Sequence, residues 1–197
     1  MMSKLMALGT LALAALAMVI VGTGQARADL ITYTETATAT GSLGGQAFMD
    51  ALVTISGTAD TADVVGGGSV VTLTTTVDVA GLGSATFTRT TDAFSQQGPP
   101  AAGFSDDATG IIVLGTGNDA FASYGLVSSI GPISGDAVVN SGIAWPTTVG
   151  SFEIDSVSTS AFQATLAAVP EPSSLALCGL GAVALLGFAR RRRSARA

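Results

Sequence analysis

The chain has 197 residues, a formal net charge of −6, no His, one Cys and 25 Gly, with 48% hydrophobic against 11% charged residues and a mean hydropathy of +0.56. Without His there is no Ser-His-Asp triad, no Cys-His pair and no imidazole metal site, and the apolar residues are massed at the two ends around a polar middle the size of one domain. That middle, residues 29–169, carries thirteen acidic residues against the single base Arg89, a formal charge of −12, which excludes nucleic acid as a partner because phosphates would find no cations there.

At the N-terminus, Lys4 precedes an apolar stretch from Leu5 to Val21, and Ala26-Arg27-Ala28 follows. This is the order of a secretory signal: charged n-region, apolar h-region, small-residue cleavage site. Ala26 and Ala28 suit a signal peptidase, so residues 1–28 are expected to be removed and the remainder exported. Export permits disulfides, yet the one cysteine, Cys178, lies in the second apolar segment. The exported domain, residues 29–168, is therefore expected to rest on packing and sheet hydrogen bonds.

Period-two alternation runs through that domain. In Leu30–Thr40, Thr32, Thr34, Thr36, Thr38 and Thr40 share one face, while Ile31, Tyr33, Glu35, Ala37 and Ala39 share the other, with Glu35 the odd member. Gln46–Ser56 alternates with Ala47, Met49, Ala51, Val53 and Ile55 in phase, and Ser69–Val79 with Val71, Leu73, Val77 and Val79. Shorter strands are expected at Ala85–Thr90, Ile111–Leu114, Gly150–Val157 and Ala161–Ala167. Ala120–Val127 reads as a short helix or as a strand. Gly44-Gly45, Gly66-Gly67-Gly68, Gly81-Leu82-Gly83 and Gly98-Pro99-Pro100 supply turns between them. Many short strands with glycine-rich turns predict an all-β fold, an antiparallel β-sandwich or jelly roll. Leu43–Phe48 and Leu82–Phe87 share the pattern L-G-x-x-x-F, as two similar hairpin arms would.

The chemistry left open is that of carboxylates. Asp106-Asp107 and the pair Glu153 and Asp155 are the available couples; the first reads as a loop supplying turn hydrogen bonds and the second as a solvated strand face. Gly115-Thr116-Gly117-Asn118-Asp119 resembles part of a calcium-binding glycine- and aspartate-rich nonapeptide, which makes Asn118 and Asp119 candidate calcium ligands, although a single copy more often serves a turn. Asp60 and Asp63 form a further loop candidate. Trp145, Tyr124, Phe94 and Phe104 are the aromatic residues available as a sugar platform. No enzymatic activity is expected.

Beyond the domain stands Val169-Pro170-Glu171-Pro172-Ser173-Ser174, whose prolines hold an extended, accessible segment. Residues 173–189 carry no charge and would span about 26 Å as a helix. Arg190, Arg191, Arg192 and Arg193 follow, and the positive-inside rule places them in the cytoplasm. The three-part array of P-E-P, apolar segment and arginine cluster, residues 169–197, resembles the C-terminal sorting signal of the PEP-CTERM proteins of Gram-negative bacteria. The resemblance implies that Pro170, Glu171 and Pro172 are recognised by an exosortase, a membrane protease and transpeptidase that removes the tail. It also implies export across the inner membrane, a membrane-anchored precursor, and a final place at the cell surface or in an extracellular matrix, in the company of exopolysaccharide and biofilm systems. The function expected is that of a structural surface or matrix protein, the alternative being a calcium- or carbohydrate-binding adhesin on the same anchor.

Overall fold

The structure, a computed structural model, describes residues 29–66 and 70–167. The expected signal peptide with Ala26 and Ala28, the Pro170–Pro172 motif, the apolar segment 173–189 and Arg190–Arg193 lie outside the described residues. Among the described residues, no helix is long and apolar enough to cross a membrane.

The fold is all-β and antiparallel. Two long strands, β1 (Leu30–Leu43) and β2 (Gln46–Asp60), form a hairpin through Gly44 and Gly45, both at positive φ. Then come β3 (Val70–Leu73), β4 (Thr75–Val79), β5 (Gly83–Thr86), β6 (Thr91–Gln97), β7 (Pro100–Asp106) and β8 (Ile112–Gly117). The last three are β9 (Ile130–Val138), β10 (Trp145–Thr147) and β11 (Gly150–Leu166), a single strand where the sequence predicted two. They join in the order β3-β6-β7-β8-β9-β11-β1-β2-β4-β5, with β10 beside β11. One continuous sheet thus curls into a half-barrel around a core, where two stacked sheets were expected.

The curling has two physical sources. β9 pairs with β11 through Ile130, Ile133, Ser134 and Gly135, then with β8 through Asp136, Ala137 and Val138, so hydrogen bonding carries round the corner unbroken. A Cβ at Gly135 would collide with the Gly117 carbonyl, and glycine is what lets the strands cross so closely. On the other side, β3 at one margin passes to β4 near the opposite margin through Thr74 alone. The buried Thr91 hydroxyl stitches this crossing by bonding to the Leu73 carbonyl (3.2 Å) and Thr75 Oγ1 (3.0 Å).

The period-two phase of β1 holds: Ile31, Tyr33, Glu35, Ala37 and Ala39 are all buried, and the threonines line the outer face. In β2 it breaks. Val53 and Ile55 face the core as predicted, but Phe48 is buried while Met49 is 79% exposed and Ala47 also faces outward. A register shift between Ala39 and Gly41, with Asp50 at φ 47°, inserts an extra residue and reverses the phase. Residues 120–127 are neither the helix nor the strand expected. A 3-10 turn, Asp119–Phe121, leads into irregular chain that buries Phe121, Tyr124 and Leu126.

Phe162 of β11 is the aromatic centre of the core, with the rings of Phe121, Tyr124 and Tyr33 at 5.7, 6.1 and 6.4 Å. Near the β1–β2 turn the two L-G-x-x-x-F segments converge: Phe48 stacks on Phe152 at 6.4 Å and Phe87 meets it edge-on at 6.0 Å.

Candidate functional site

Three places among the described residues bear most on function. The first is the pole where the chain enters and leaves the domain. Strand β1 begins beside the end of β11, with Ile31 opposite Leu166, because both strands lie in the middle of the sheet and run antiparallel. The Ala167 amide donates to the Leu30 carbonyl (2.8 Å), the Leu166 amide to Ser129 Oγ (2.9 Å), and the Thr61 amide to the Asp29 carbonyl (3.0 Å). The domain is therefore tied down to the residue before Ala168, and its first and last strands issue side by side.

The second is an open depression lined by Pro99, Pro100, Gly117, Asn118, Asp119, Gly135 and Asp136. Asn118 is committed to structure: its Oδ1 caps the 3-10 turn by accepting from the Ala120 amide (2.9 Å), and its Nδ2 donates to the Ser134 carbonyl (2.8 Å). Asp119 is exposed, and the β8–β9 pairing, Gly117 against Asp136, brings a second exposed carboxylate into the same depression. The sequence pointed to Asn118 and Asp119; Asp136 was missed because its approach depends on strand pairing across the corner. Among the described residues, no group of three or more His, Cys, Asp or Glu side chains converges as a metal cage.

The third is Glu35, 0% exposed on β1 between Ile55 of β2 and Phe162 of β11. Its Oε1 accepts a hydrogen bond from Thr116 Oγ1 of β8 (2.5 Å), and its Oε2 has no partner. Burial drives its pKa up to about 8, against which the Thr116 hydroxyl pulls down. The carboxyl is thus held largely neutral at pH 7, which lowers the cost of keeping it in an apolar core. Nearby, the Tyr33 hydroxyl donates to the Leu126 carbonyl (2.7 Å) and Ser95 Oγ to the Tyr124 carbonyl (2.8 Å). These bonds anchor the irregular segment inside the curl.

The remaining candidates resolve into structural roles. Asp106 is buried, and its Oδ1 accepts from the Thr109 amide (3.0 Å) and hydroxyl (2.7 Å), as a turn-forming aspartate does; Arg89 approaches its Oδ2 at 3.7 Å. Asp60 caps the 3-10 turn Thr61–Asp63 through the Ala62 amide (2.8 Å). Asp155 is exposed and Glu153 partly so. The sugar platform does not form, because Trp145, Tyr124 and Phe104 are core residues and Phe94 is buried outside the main core, packed against Gly115.

Comparison with known families matches residues 168–193 to the PEP-CTERM protein-sorting motif. Neither comparison with curated proteins nor comparison with solved structures yields a match. The match takes in Pro170, Glu171 and Pro172, residues 173–189 and Arg190–Arg193. The chain carries this motif directly after an antiparallel β domain, and the motif implies export, processing by an exosortase, and sorting to the cell envelope or surface.

Proposed function

We propose that the protein is a non-enzymatic structural component of the cell surface or extracellular matrix. In this reading a signal peptidase cuts after Ala28, residues 173–189 hold the precursor in the membrane, and an exosortase reads Pro170-Glu171-Pro172 and releases or transfers the domain. The sorting motif is the observation that carries the reading. A domain with a strongly acidic surface, suited to remaining dispersed among like-charged chains, accords with a place among exopolysaccharides. Replacing Pro170, Glu171 and Pro172 together by alanine should leave full-length tail-bearing protein in the membrane fraction. Unchanged release of the domain by that variant would sink the exosortase reading.

A second reading, a calcium-binding adhesin, draws on the approach of Asp136 to Asp119 in the open depression. On that reading, millimolar calcium raises the thermal midpoint of the domain, and Asp119→Asn or Asp136→Asn removes the rise. A flat calcium response, or an equal rise in both variants, rejects it.

A further inference from the structure

We propose that the pole bracketed by Leu30 and Val127 is the surface on which the sorting protease seats while it reads Pro170–Pro172. The inference rests on the exosortase reading above and adds to it the part of the domain the enzyme touches.

Reach is the first argument. Ala167 is still hydrogen-bonded to Leu30, so Ala168 and Val169 are the whole connection to Pro170, and the motif begins within roughly 10 Å of the sheet even if the chain is fully extended. A protease cleft that encloses a peptide for a few residues on each side of the scissile bond meets the folded domain before the motif is seated. Peeling β11 away to lengthen the connection would break the Ala167–Leu30 and Leu166–Ser129 bonds and unpair Leu166 from Ile31.

Chemistry is the second. Leu30, on the strand to one side of the exit, is 53% exposed, and Val127, in the segment on the other side, is 51% exposed. Ser129, two residues beyond Val127, holds the Leu166 amide, and Leu30 accepts from the Ala167 amide, so the segments carrying both apolar residues are tied to the end of β11. Asp29, Asp60 and Asp63 belong to the same end through the Thr61–Asp29 bond, and among the described residues the one base, Arg89, pairs with Asp106 instead. An apolar pair rimmed by carboxylates is repelled by an anionic lipid surface. It fits a protein surface with an apolar centre and basic groups around it, and the enzyme tethered to this point by its own substrate is the occupant that geometry supplies.

The test uses the full chain in cells that hold the processing enzyme, with the rate of tail removal followed by pulse-chase. Leu30→Asp with Val127→Asp should slow processing about tenfold or more, while Met49→Asp, on an exposed site far along β2, should not. An insert of about ten Gly/Ser residues after Ala167, spanning roughly 17 Å as a coil, leaves the pole intact but separates it from the motif and should also slow processing. Thermal melting of the released domains shows that the pole variants are folded. Folded pole variants processed at the wild-type rate, or an insert that leaves the rate unchanged or raises it, overturn the proposal. So do pole variants that lose binding to phosphatidylglycerol vesicles while processing continues unchanged, since the surface then seats lipid. Normal processing of the Pro170, Glu171 and Pro172 alanine variant is a different failure, that of the exosortase reading itself.

Discussion

Glu35 is the residue whose place in the core is hardest to reconcile with apolar packing, and its consequences are measurable. In the unfolded chain a glutamate titrates near 4.3, whereas in the fold burial holds it up at about 8. Between those values the folded state keeps a proton that the unfolded state has lost, so stability falls as pH rises, by up to about 1.4 kcal/mol per pH unit. The contribution is fully present below about pH 4.3 and has been lost above about pH 8. The neighbouring core tyrosines, Tyr33 and Tyr124, are pushed upward by burial and stay uncharged throughout that window. Urea unfolding of the wild-type domain and Glu35→Gln from pH 5 to 9 should show the wild type losing stability relative to the variant, with the gap widest at alkaline pH. Parallel curves would show that Glu35 does not titrate in this way. The position was legible in the sequence as the one acidic residue in the apolar phase of β1; its partner Thr116, 81 residues away, was not.

At the scale of elements, the strands read correctly were those with one wet and one packed face, because alternation records that asymmetry directly. β1 and most of β2 were of this kind; the run Ser69–Val79, expected as one strand, keeps Val71, Leu73, Val77 and Val79 buried in phase but divides at Thr74 into β3 and β4, which pair with β6 and β2 in different parts of the sheet. β6 and β7 were missed because nearly every residue in them is buried, so no alternation remains, and their small residues, Ala101, Ala102 and Gly103, give no apolar signal. β9 was missed for a different reason: it changes neighbours midway at Gly135, and its sides are half-buried throughout much of its length. β11 does most to hold the halves together, pairing with β1, β9 and β10 and presenting Phe162 to three other rings. Phe162→Ala should therefore cost about 3–5 kcal/mol in denaturant unfolding, in the range of large core truncations. A loss below about 1 kcal/mol would mean that the irregular segment 120–127 collapses into the space and that Phe162 does not organise it.

For the whole molecule, the central arrangement is a β domain whose entering and leaving strands lie side by side, with the sorting motif directly beyond. The motif could be read from sequence because its parts are contiguous and each has a local chemistry: paired prolines around a glutamate, an apolar segment, an arginine cluster. The pole and the Asp119–Asp136 approach could not, since both arise from pairing between distant segments, Ile31 with Leu166 and Gly117 with Asp136. Curling into a half-barrel was equally hidden, because it turns on Gly135 and on the one-residue passage at Thr74.

The most direct measurement is the intact mass of the protein recovered from membrane, surface and medium fractions of the native cell. Loss of both residues 1–28 and the tail beyond the Pro170–Pro172 region, in protein found at the surface or in the medium, is the expected result. A species that keeps residues 173–197 and stays in the inner membrane would contradict it, and would make the protein a permanently tethered periplasmic domain.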